Sequence, residues 1–397
     1  MDSCDVLIVG GGPAGSSCAW KLRKAGLDVT IIDKARFPRD KVCAGWITPA
    51  VLQELEIDPR EYSKERVFQH ILGFRTSRLG DSGVTTRYEA PVSYGIRRCE
   101  FDDFLLRRSG ARIVDGIPLE RLERVAGGWI ANERYKAPLV VGAGGHFCPV
   151  ARFLGATLGS ETIVAAQEIE FLMNDNQRSQ CAVQPELPEL YFCADMRGYG
   201  WCFRKGDYLN IGLGRLGRHH LYRHVDGFLA YLKSARRIPN DTPDSWPGHA
   251  YLLYNTATRC TAGDGIILVG DAAGLAYAQS GEGIRPAVES GLLAAEVILH
   301  AGGDYSRERL QRYRDRLVQR FGRAESHWTR RLSALVPDQV VASIARRLLG
   351  TPWFARKVLL DRWFLHSHEP AMDHHRDLAL PTGRNRNGGK QSVWRDS

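Results

Sequence analysis

A glycine-rich turn near the start of the chain has the spacing of a dinucleotide-binding site. Gly10-x-Gly12-x-x-Gly15 lies between an apolar strand predicted at residues 5–9 and a helical pattern that continues through Lys24. Gly10 permits a tight turn, Gly12 lets a phosphate approach the backbone, and Gly15 lets the helix pack closely on the strand. The free N–H groups at the helix N-terminus then offer a pyrophosphate hydrogen bonds and a partial positive charge.

An acidic residue after a second predicted strand, residues 28–32, completes a βαβ unit. Asp33 lies 18 residues beyond Gly15, where its carboxylate can accept hydrogen bonds from a ribose diol. Together these features predict a bound dinucleotide rather than an empty turn, but they do not choose between NAD and FAD. The cofactor-binding residues predicted here are Gly10, Gly12, Pro13, Ala14, Gly15, Asp33 and Lys34.

A second glycine-rich segment follows another apolar strand, predicted at residues 266–269, and opens a helix predicted over 284–300. The segment resembles the second FAD fingerprint of the flavoprotein hydroxylase superfamily, in which the aspartate holds the ribityl chain and the helix N-terminus approaches the flavin. A positive helix end stabilises an anionic reduced flavin. The resemblance implies FAD as cofactor, bound by Gly270, Asp271, Ala272, Gly281, Gly283 and Ile284.

A third match begins at Arg98. The sequence Arg-Cys-Glu-Phe-Asp-Asp-Phe-Leu over residues 98–105 resembles the segment of the same superfamily that opens a helix and whose arginine contacts FAD. The resemblance implies that Arg98 binds the cofactor. A surface salt bridge is the alternative interpretation.

Two further motifs resemble the geranylgeranyl reductase family of FAD-dependent oxidoreductases. They are the loop at residues 37–45, which includes Lys-Val-Cys-Ala-Gly, and the segment Tyr199-x-Trp201-x-Phe203. The order and spacing of all motifs match over about residues 1–330. In the family the loop lies beside the flavin, which implies cofactor contacts for Lys41, Cys43, Ala44 and Gly45.

The three alternating aromatic residues would share one face of a strand. Such a face suits a long apolar ligand, so Tyr199, Trp201 and Phe203 are the predicted substrate-binding residues, with plain core packing as the alternative. Cys43 is the candidate catalytic residue, as proton donor, and water is the other candidate donor.

The chain also departs from these patterns. Arg204 replaces the proline of the family's aromatic motif, and the loop reads Cys-Ala-Gly rather than Cys-Gly-Gly. Gly144 stands where hydroxylases of the superfamily carry an aspartate that helps to hold FAD and NAD(P)H. This last departure disfavours a hydroxylase and leaves the electron donor open between NAD(P)H and reduced ferredoxin.

The resemblance implies reduction of carbon–carbon double bonds in an apolar, isoprenoid-like substrate, by hydride transfer from N5 of reduced flavin. A flavin-dependent monooxygenase or halogenase on the same fold is one alternative, although the Trp-x-Trp-x-Ile-Pro motif of halogenases has no match. An electron-transfer flavoprotein is another alternative. Nine cysteines without a Cys-x-x-Cys pair argue against an iron–sulfur cluster, and no metal site is predicted.

The elements that must position these residues predict an α/β protein with a Rossmann-type dinucleotide-binding domain, and the resemblance implies an FAD-binding domain like that of p-hydroxybenzoate hydroxylase. We expect this domain to be discontinuous, with an inserted antiparallel β-sheet substrate domain and a helical C-terminal region. The expected boundaries are 1–70, 96–158 and 258–303 for the FAD domain, 71–95 and 159–257 for the substrate domain, 304–380 for the helical region and 381–397 for a disordered tail.

Composition bounds the partners and the compartment. The 397 residues are 44% hydrophobic and 25% charged and carry a net charge of +9, of which residues 307–331 supply +6. The basic segment is either a solvated helix face or a docking surface for an acidic electron carrier or anionic lipid. The aromatic and basic stretch at 353–364 either lies on a membrane or packs on the protein. We expect a cytoplasmic protein with no nucleic-acid partner, and peripheral membrane contact stays an open alternative.

Overall fold

The computed structural model describes residues 1–157, 161–217, 219–323, 343 and 346–372. The strands are β1 (Asp2–Ser3), β2 (Val6–Val9), β3 (Val29–Asp33), β4 (Trp46–Ile47), β5 (Phe68–Ile71), β6 (Gly73–Arg78), β7 (Val84–Arg87), β8 (Ser93–Ile96), β9 (Arg112–Asp115), β10 (Leu122–Val125), β11 (Gly128–Ala131), β12 (Tyr135–Ala137), β13 (Leu139–Gly142), β14 (Val164–Leu172), β15 (Glu189–Phe192), β16 (Gly198–Lys205), β17 (Tyr208–Leu216), β18 (Gly248–Tyr251), β19 (Ala262–Gly263) and β20 (Ile266–Leu268). The α-helices are α1 (Pro13–Lys24), α2 (Pro49–Glu54), α3 (Pro59–Ser63), α4 (Arg98–Arg108), α5 (Asp175–Gln180), α6 (Leu221–Ser234), α7 (Ile284–Ala301), α8 (Arg307–Leu310), α9 (Arg312–Phe321) and α10 (Pro352–Phe354), and a π-helix spans Ala355–Phe364.

A six-stranded sheet carries both glycine-rich motifs. Its strand order is β19-β20-β13-β2-β3-β9, and every pair is parallel except β19 with β20. Strands β2, β13 and β20 are buried along their whole length, which explains why each reads as a continuous apolar run. Helices α1 and α7 pack against each other so closely that a Cβ on Gly291 would lie 2.3 Å from the carbonyl oxygen of Ala14. The α/β class with a Rossmann-like FAD-binding fold is confirmed.

A seven-stranded sheet faces the first across the site, with strand order β18-β14-β17-β16-β15-β6-β7. It is antiparallel as predicted, apart from the parallel pair β15 and β6. Helix α6 packs on one face of this sheet, and the other face carries the aromatic residues of β16. Two smaller sheets, β1-β12-β11-β10 and β4-β8-β5, complete the topology. The domain boundaries expected from the sequence stay a prediction.

The C-terminal segment packs mainly on the body of the protein. Leu359, Leu360 and Phe364 of the π-helix are buried in one apolar cluster with Trp46 and Trp201. Trp353, by contrast, is 69% exposed. The basic residues 307–331 are described only as far as residue 323, and the predicted tail at 381–397 lies outside the described residues.

Candidate functional site

One cavity of about 710 Å³ runs between the two larger sheets. It brings together most of the residues predicted from the separate motifs. The predicted residues that line it are Gly10, Gly12, Pro13, Ala14, Asp33, Lys34, Lys41, Cys43, Ala44, Gly45, Arg98, Tyr199, Trp201, Asp271, Gly281, Gly283 and Ile284. Four other predicted residues, Gly15, Phe203, Gly270 and Ala272, are not part of its wall.

The glycines of the first motif have different structural roles. Gly10 has φ +117°, and a Cβ there would lie 2.3 Å from the carbonyl oxygen of Ala143. A Cβ on Gly15 would lie 2.0 Å from the carbonyl oxygen of Gly10. Both glycines are therefore required by the fold. At Gly12 the nearest atom to an added Cβ is Arg39 Nη2, at 3.5 Å, so this position leaves room for a ligand beside the backbone.

Arg39 contributes an unsatisfied hydrogen-bond donor to this part of the cavity. Its Nη2 lies 3.2 Å from Asp102 Oδ2, and its guanidinium lies 4.7 Å from the centre of the Phe37 ring. Its Nη1 is buried and has no hydrogen-bond partner among the described residues. A planar guanidinium with a free donor beside a glycine turn suits a phosphate oxygen.

Asp33 and Arg98 are both fixed by hydrogen bonds. The Asp33 carboxylate accepts from the backbone N–H of Gly11 at 2.7 Å and of Ala35 at 2.8 Å. Arg98 is 9% exposed and makes a bidentate pair with Asp102, at 2.8 and 2.7 Å. The salt bridge is present, but it is buried and lies in the cavity wall rather than on the surface.

A lysine, a histidine and an aspartate meet in the middle of the cavity. Lys41 Nζ lies 2.9 Å from His249 Nδ1 and 2.7 Å from Nε2, and His249 Nε2 lies 3.3 Å from Asp271 Oδ2. Burial lowers the pKa of Lys41 to about 8, against the attraction of the Asp271 carboxylate. Burial and the nearby Lys41 cation also lower the pKa of His249. The group presents polar atoms to a ligand at the second motif.

The peptide of Cys43 is held from the seven-stranded sheet. Its N–H donates to Glu168, and its carbonyl oxygen accepts from Asn210 Nδ2 at 3.2 Å. Its Sγ accepts from the backbone N–H of Gly45 at 3.4 Å. Glu168 is buried, and burial raises its pKa to about 8. These contacts fix the loop against the sheet that bears the aromatic residues.

Two of the three aromatic residues form the apolar end of the cavity. Tyr199 donates from its hydroxyl to the carbonyl oxygen of Ser280 at 2.6 Å. Trp201 donates from Nε1 to Asn210 Oδ1 at 2.7 Å, and its ring covers Gly212, where a Cβ would lie 2.2 Å away. Phe203 shares their face of the sheet but is stacked on Trp46, with ring centroids 5.1 Å apart. Phe203 therefore belongs to the core, not to the wall.

Sequence reasoning missed several residues that line the cavity: Arg39, Trp46, His249, Tyr251 and Glu282. Arg39 and Glu282 lie inside motifs that the sequence does show. His249 and Tyr251 alternate on the edge strand β18, and alternation in so short a strand carries little signal. Gly144, the position of the missing aspartate, also lines the cavity, where an added Cβ would lie 3.2 Å from Cys148 Sγ.

Comparisons with known proteins agree with this geometry. A family of FAD-dependent oxidoreductases matches residues 5–102. The chain is 31% identical to the menaquinone reductase of Mycobacterium tuberculosis over 364 residues, which cover 84% of each protein. It is 28% identical to the digeranylgeranylglycerophospholipid reductase of Methanococcus vannielii, over 79% of this chain and 82% of the relative.

The fold has a close counterpart among solved structures. The geranylgeranyl bacteriochlorophyll reductase-like protein of Thermoplasma acidophilum superimposes with a TM-score of 0.72 at 24% identity, over 88% of this chain and 92% of that one. The chain matches the named reductases over most of their length and matches the model of FAD-dependent oxidoreductases. It therefore belongs to the geranylgeranyl reductase family of FAD-dependent oxidoreductases, and its cofactor is FAD.

Proposed function

We propose that this enzyme reduces carbon–carbon double bonds in an apolar, isoprenoid-like chain. The observation that carries the proposal is the continuity of the cavity, which runs without interruption from the turn at Gly12 to Tyr199 and Trp201. Relatives named menaquinone reductase and digeranylgeranylglycerophospholipid reductase support a substrate of this class, because both names denote molecules with isoprenoid chains. FAD, when bound and reduced, supplies the hydride.

The residues of the cavity fit the cofactor. The open backbone at Gly12 and the unsatisfied Nη1 of Arg39 would hold the pyrophosphate, and Asp33 would accept hydrogen bonds from the ribose. Asp271 and the N-terminus of α7 lie at the second motif, where they would hold the flavin end. Each of these groups faces the same cavity.

The other wall residues would orient the substrate and exclude water. Trp201 is 6% exposed and is fixed by both its hydrogen bond to Asn210 and its contact with Gly212. Ala166 and Leu190 add apolar surface from two other strands of the same sheet, β14 and β15. A rigid apolar wall of this kind holds an alkene chain in place at little further entropy cost.

Anaerobic single-turnover oxidation tests the proposed reaction. The bound flavin is reduced with dithionite, excess reductant and oxygen are removed, and prenyl diphosphates and prenylated lipids are added one at a time. We expect flavin absorbance to return with an active substrate, and mass spectrometry to show a product heavier by two hydrogens. For a quinone substrate, fragmentation must place the hydrogens in the side chain, because a quinone ring can itself oxidise a reduced flavin.

Two outcomes of this experiment separate the alternatives. No oxidation by any alkene, together with substrate hydroxylation once oxygen is admitted, would overturn the proposal in favour of a monooxygenase. If the reaction is the proposed one, Trp201→Ala should raise the substrate concentration needed for half-maximal rate, because it removes wall surface. Trp246→Ala, at a tryptophan outside the cavity wall, should leave that concentration unchanged.

The electron donor is part of the same proposal. Helices α8 and α9 expose Arg307, Arg309, Arg312 and Arg314, which supports docking of an acidic carrier such as ferredoxin. Reduction by ferredoxin should then lose rate steeply as salt is added, whereas reduction by NAD(P)H should depend on salt much less. The stopped-flow rate of flavin reduction with each donor, at several salt concentrations, distinguishes them.

A further inference from the structure

Reduction of a double bond forms two C–H bonds, one from a hydride and one from a proton. Tyr199 and Trp201 line the apolar end of the cavity and offer a water molecule few hydrogen-bond partners, so a side chain is the expected proton donor there. Four carboxylic residues line the cavity: Asp33, Asp40, Asp271 and Glu282. Asp33 is fixed by two backbone N–H groups, Asp271 faces His249, and Asp40 is exposed at the rim.

Glu282 differs from the other three in its position. It belongs to the turn between Gly281 and Gly283, immediately before α7, and its Oε1 accepts from the backbone N–H of Arg285 at 2.8 Å. Its Oε2 forms no hydrogen bond among the described residues. Tyr199 donates to Ser280, two residues earlier, so the carboxyl group lies beside the aromatic wall.

We propose that Glu282 donates the proton for double-bond reduction and is then reprotonated from solvent through His366, Glu369 and His368. This inference rests on the proposed function. In the step, the O–H bond of Glu282 breaks and its electron pair stays on the carboxylate, while the proton forms a C–H bond at the alkene carbon that does not receive the hydride. A proton from solvent then restores the carboxylic acid.

The electrostatics of the turn support this role. Burial raises the pKa of Glu282 to about 7, against the hydrogen bond from the backbone N–H of Arg285 and the electrostatic effect of the His366 and Arg285 side chains. The other ionisable groups that face it are Glu289 on α7, Tyr277 in the preceding turn and Tyr199 on the wall. An acid with a pKa near neutrality both carries its proton and gives it up readily. Tyr199 is a much weaker acid, since burial raises its pKa further above 10.

His366, whose side chain acts electrostatically on Glu282, begins a chain of groups that reaches the surface. The His366 ring is 6% exposed and stacks on Tyr277, with centroids 3.6 Å apart. Its Nδ1 lies 3.6 Å from Glu369 Oε1, and that oxygen lies 3.6 Å from Nε2 of His368, whose side chain is 51% exposed. Neither ring nitrogen of His366 has a hydrogen-bond partner among the described residues, which leaves both available for proton exchange.

Arg285 holds this path in place. Its guanidinium donates to the carbonyl oxygens of His366 at 3.4 Å, Glu369 at 2.9 Å and Pro370 at 3.1 Å. The same residue donates its backbone N–H to Glu282. The guanidinium and the backbone N–H of Arg285 thus link Glu282 to the segment that contains His366 and Glu369.

The test compares Glu282→Gln with wild type in the anaerobic single-turnover reaction. Wild type should lose rate as pH rises through about 7, because only the protonated acid reacts. Glu282→Gln should be slower by about tenfold or more below that pH and should lose this pH dependence. Its FAD affinity and its flavin oxidation by oxygen should stay near those of wild type. Glu61→Gln, on the exposed face of α3, is the matched control and should behave as wild type.

Infrared titration of the protein without substrate provides a readout that does not depend on turnover. We expect two protonated-carboxyl components in wild type, one from Glu168 near pH 8 and one that titrates near pH 7, and only the second should be missing in Glu282→Gln. His366→Gln should keep the single-turnover rate of a protein that starts protonated, but should slow repeated turnover driven by dithionite. If the role of His366 is only structural, His366→Gln should slow both the single-turnover reaction and repeated turnover.

The outcomes separate the two proposals. If wild type reduces no alkene, the proposed function and this role of Glu282 both fail. If wild type reduces the alkene and Glu282→Gln matches its rate and its pH profile, only the role of Glu282 is overturned. A Glu282 carboxyl that titrates below about pH 5 would also overturn it, since the group would then carry no proton to donate at neutral pH.

Discussion

The side-chain amide of Asn210 donates a hydrogen bond to the main-chain carbonyl oxygen of Cys43 over 3.2 Å, across 167 residues of sequence. Its amide oxygen accepts from Trp201 Nε1 at 2.7 Å, and its nitrogen also donates to carboxyl oxygens of Glu168 and Glu170. Asn210 is fully buried. One side chain thus sets the distance between the loop at Cys43 and the aromatic wall.

Asn210→Ala should destabilise the protein by about 1–3 kcal/mol, because it leaves buried polar groups without a partner. It should also lower the rate of substrate reduction, since the loop and the wall lose their common support. Urea unfolding measures the first effect, and anaerobic flavin oxidation measures the second. Asn176→Ala, at an exposed asparagine of α5, should change neither. An unaltered unfolding midpoint in Asn210→Ala would contradict this account.

The buried Glu168 should make the stability of the protein fall as pH rises. Burial raises its pKa from 4.5 to about 8, so between these values the folded protein binds a proton that the unfolded chain releases. The free energy of unfolding therefore decreases with rising pH over that window. Glu168→Gln removes the titration, so its stability should decrease less than that of wild type between pH 5 and 8.

Chemical unfolding of both proteins at several pH values checks this prediction. Glu65→Gln removes an exposed carboxylate and serves as the control, with a pH dependence expected to equal that of wild type. Parallel stability curves for wild type and Glu168→Gln would show that Glu168 is ionised in the folded protein.

Gly12 and Gly15 should respond differently to alanine. Gly12→Ala should leave the folded protein intact, because its φ of −73° suits alanine and the added Cβ finds room. It should weaken FAD binding about tenfold or more, equivalent to about 1.4 kcal/mol, since the methyl group occupies the space of a phosphate. Fluorescence titration of the apoprotein with FAD measures the affinity.

Gly15→Ala is the matched structural variant. Its Cβ would lie 2.0 Å from the carbonyl oxygen of Gly10, so helix and turn would have to move apart. We expect Gly15→Ala to unfold at a lower temperature than wild type even without FAD. Gly12→Ala without FAD should unfold at the same temperature as wild type. Equal loss of stability in the two variants would argue against a cofactor role specific to Gly12.

Trp353 provides a test of peripheral membrane contact. It is 69% exposed and precedes the exposed basic residues Arg356 and Lys357 by three and four positions, a combination that suits an anionic lipid surface. Trp353→Ala should reduce co-sedimentation with vesicles that contain phosphatidylglycerol, and wild type should not bind vesicles of phosphatidylcholine alone. Tyr222→Ala, at an aromatic residue that is 54% exposed on α6, is the control. If wild type co-sediments with neither kind of vesicle, the prediction of peripheral membrane contact is wrong. None of the helices in the described ranges is long and apolar enough to cross a membrane.

The parts of the fold that the sequence predicts well are local. The sequence predicts a strand at 5–9, a helix that continues through Lys24 and a second strand at 28–32. The structure shows β2 at Val6–Val9, α1 at Pro13–Lys24 and β3 at Val29–Asp33. Buried parallel strands read as apolar runs, and the glycine turn between strand and helix has its own spacing. These signals lie within one short window of sequence, so no knowledge of tertiary contacts is needed to read them.

The parts that escaped prediction depend on contacts between distant residues. Glu168 meets the Cys43 peptide across 125 residues, and His249 reaches Asp271 only because β18 pairs with β14 in one register. Alternation placed Phe203 correctly on the face of Trp201 but could not show that Trp46 covers it. A strand pattern indicates which side chains share a face, and the packing of other elements decides which of them stay open.

The strand order of the six-stranded sheet has a consequence for the timing of cofactor loading during protein synthesis. The strands β2 and β3 leave the ribosome early, but Asp271, which follows β20, and the N-terminus of α7 are made about 250 residues later and complete the same cavity. Contacts of such long sequence separation form late in folding. We expect a nascent chain arrested before Gly281 to retain no FAD. The flavin would then bind only after most of the chain has been synthesised, and it would contact both the earliest and the latest segments of the fold.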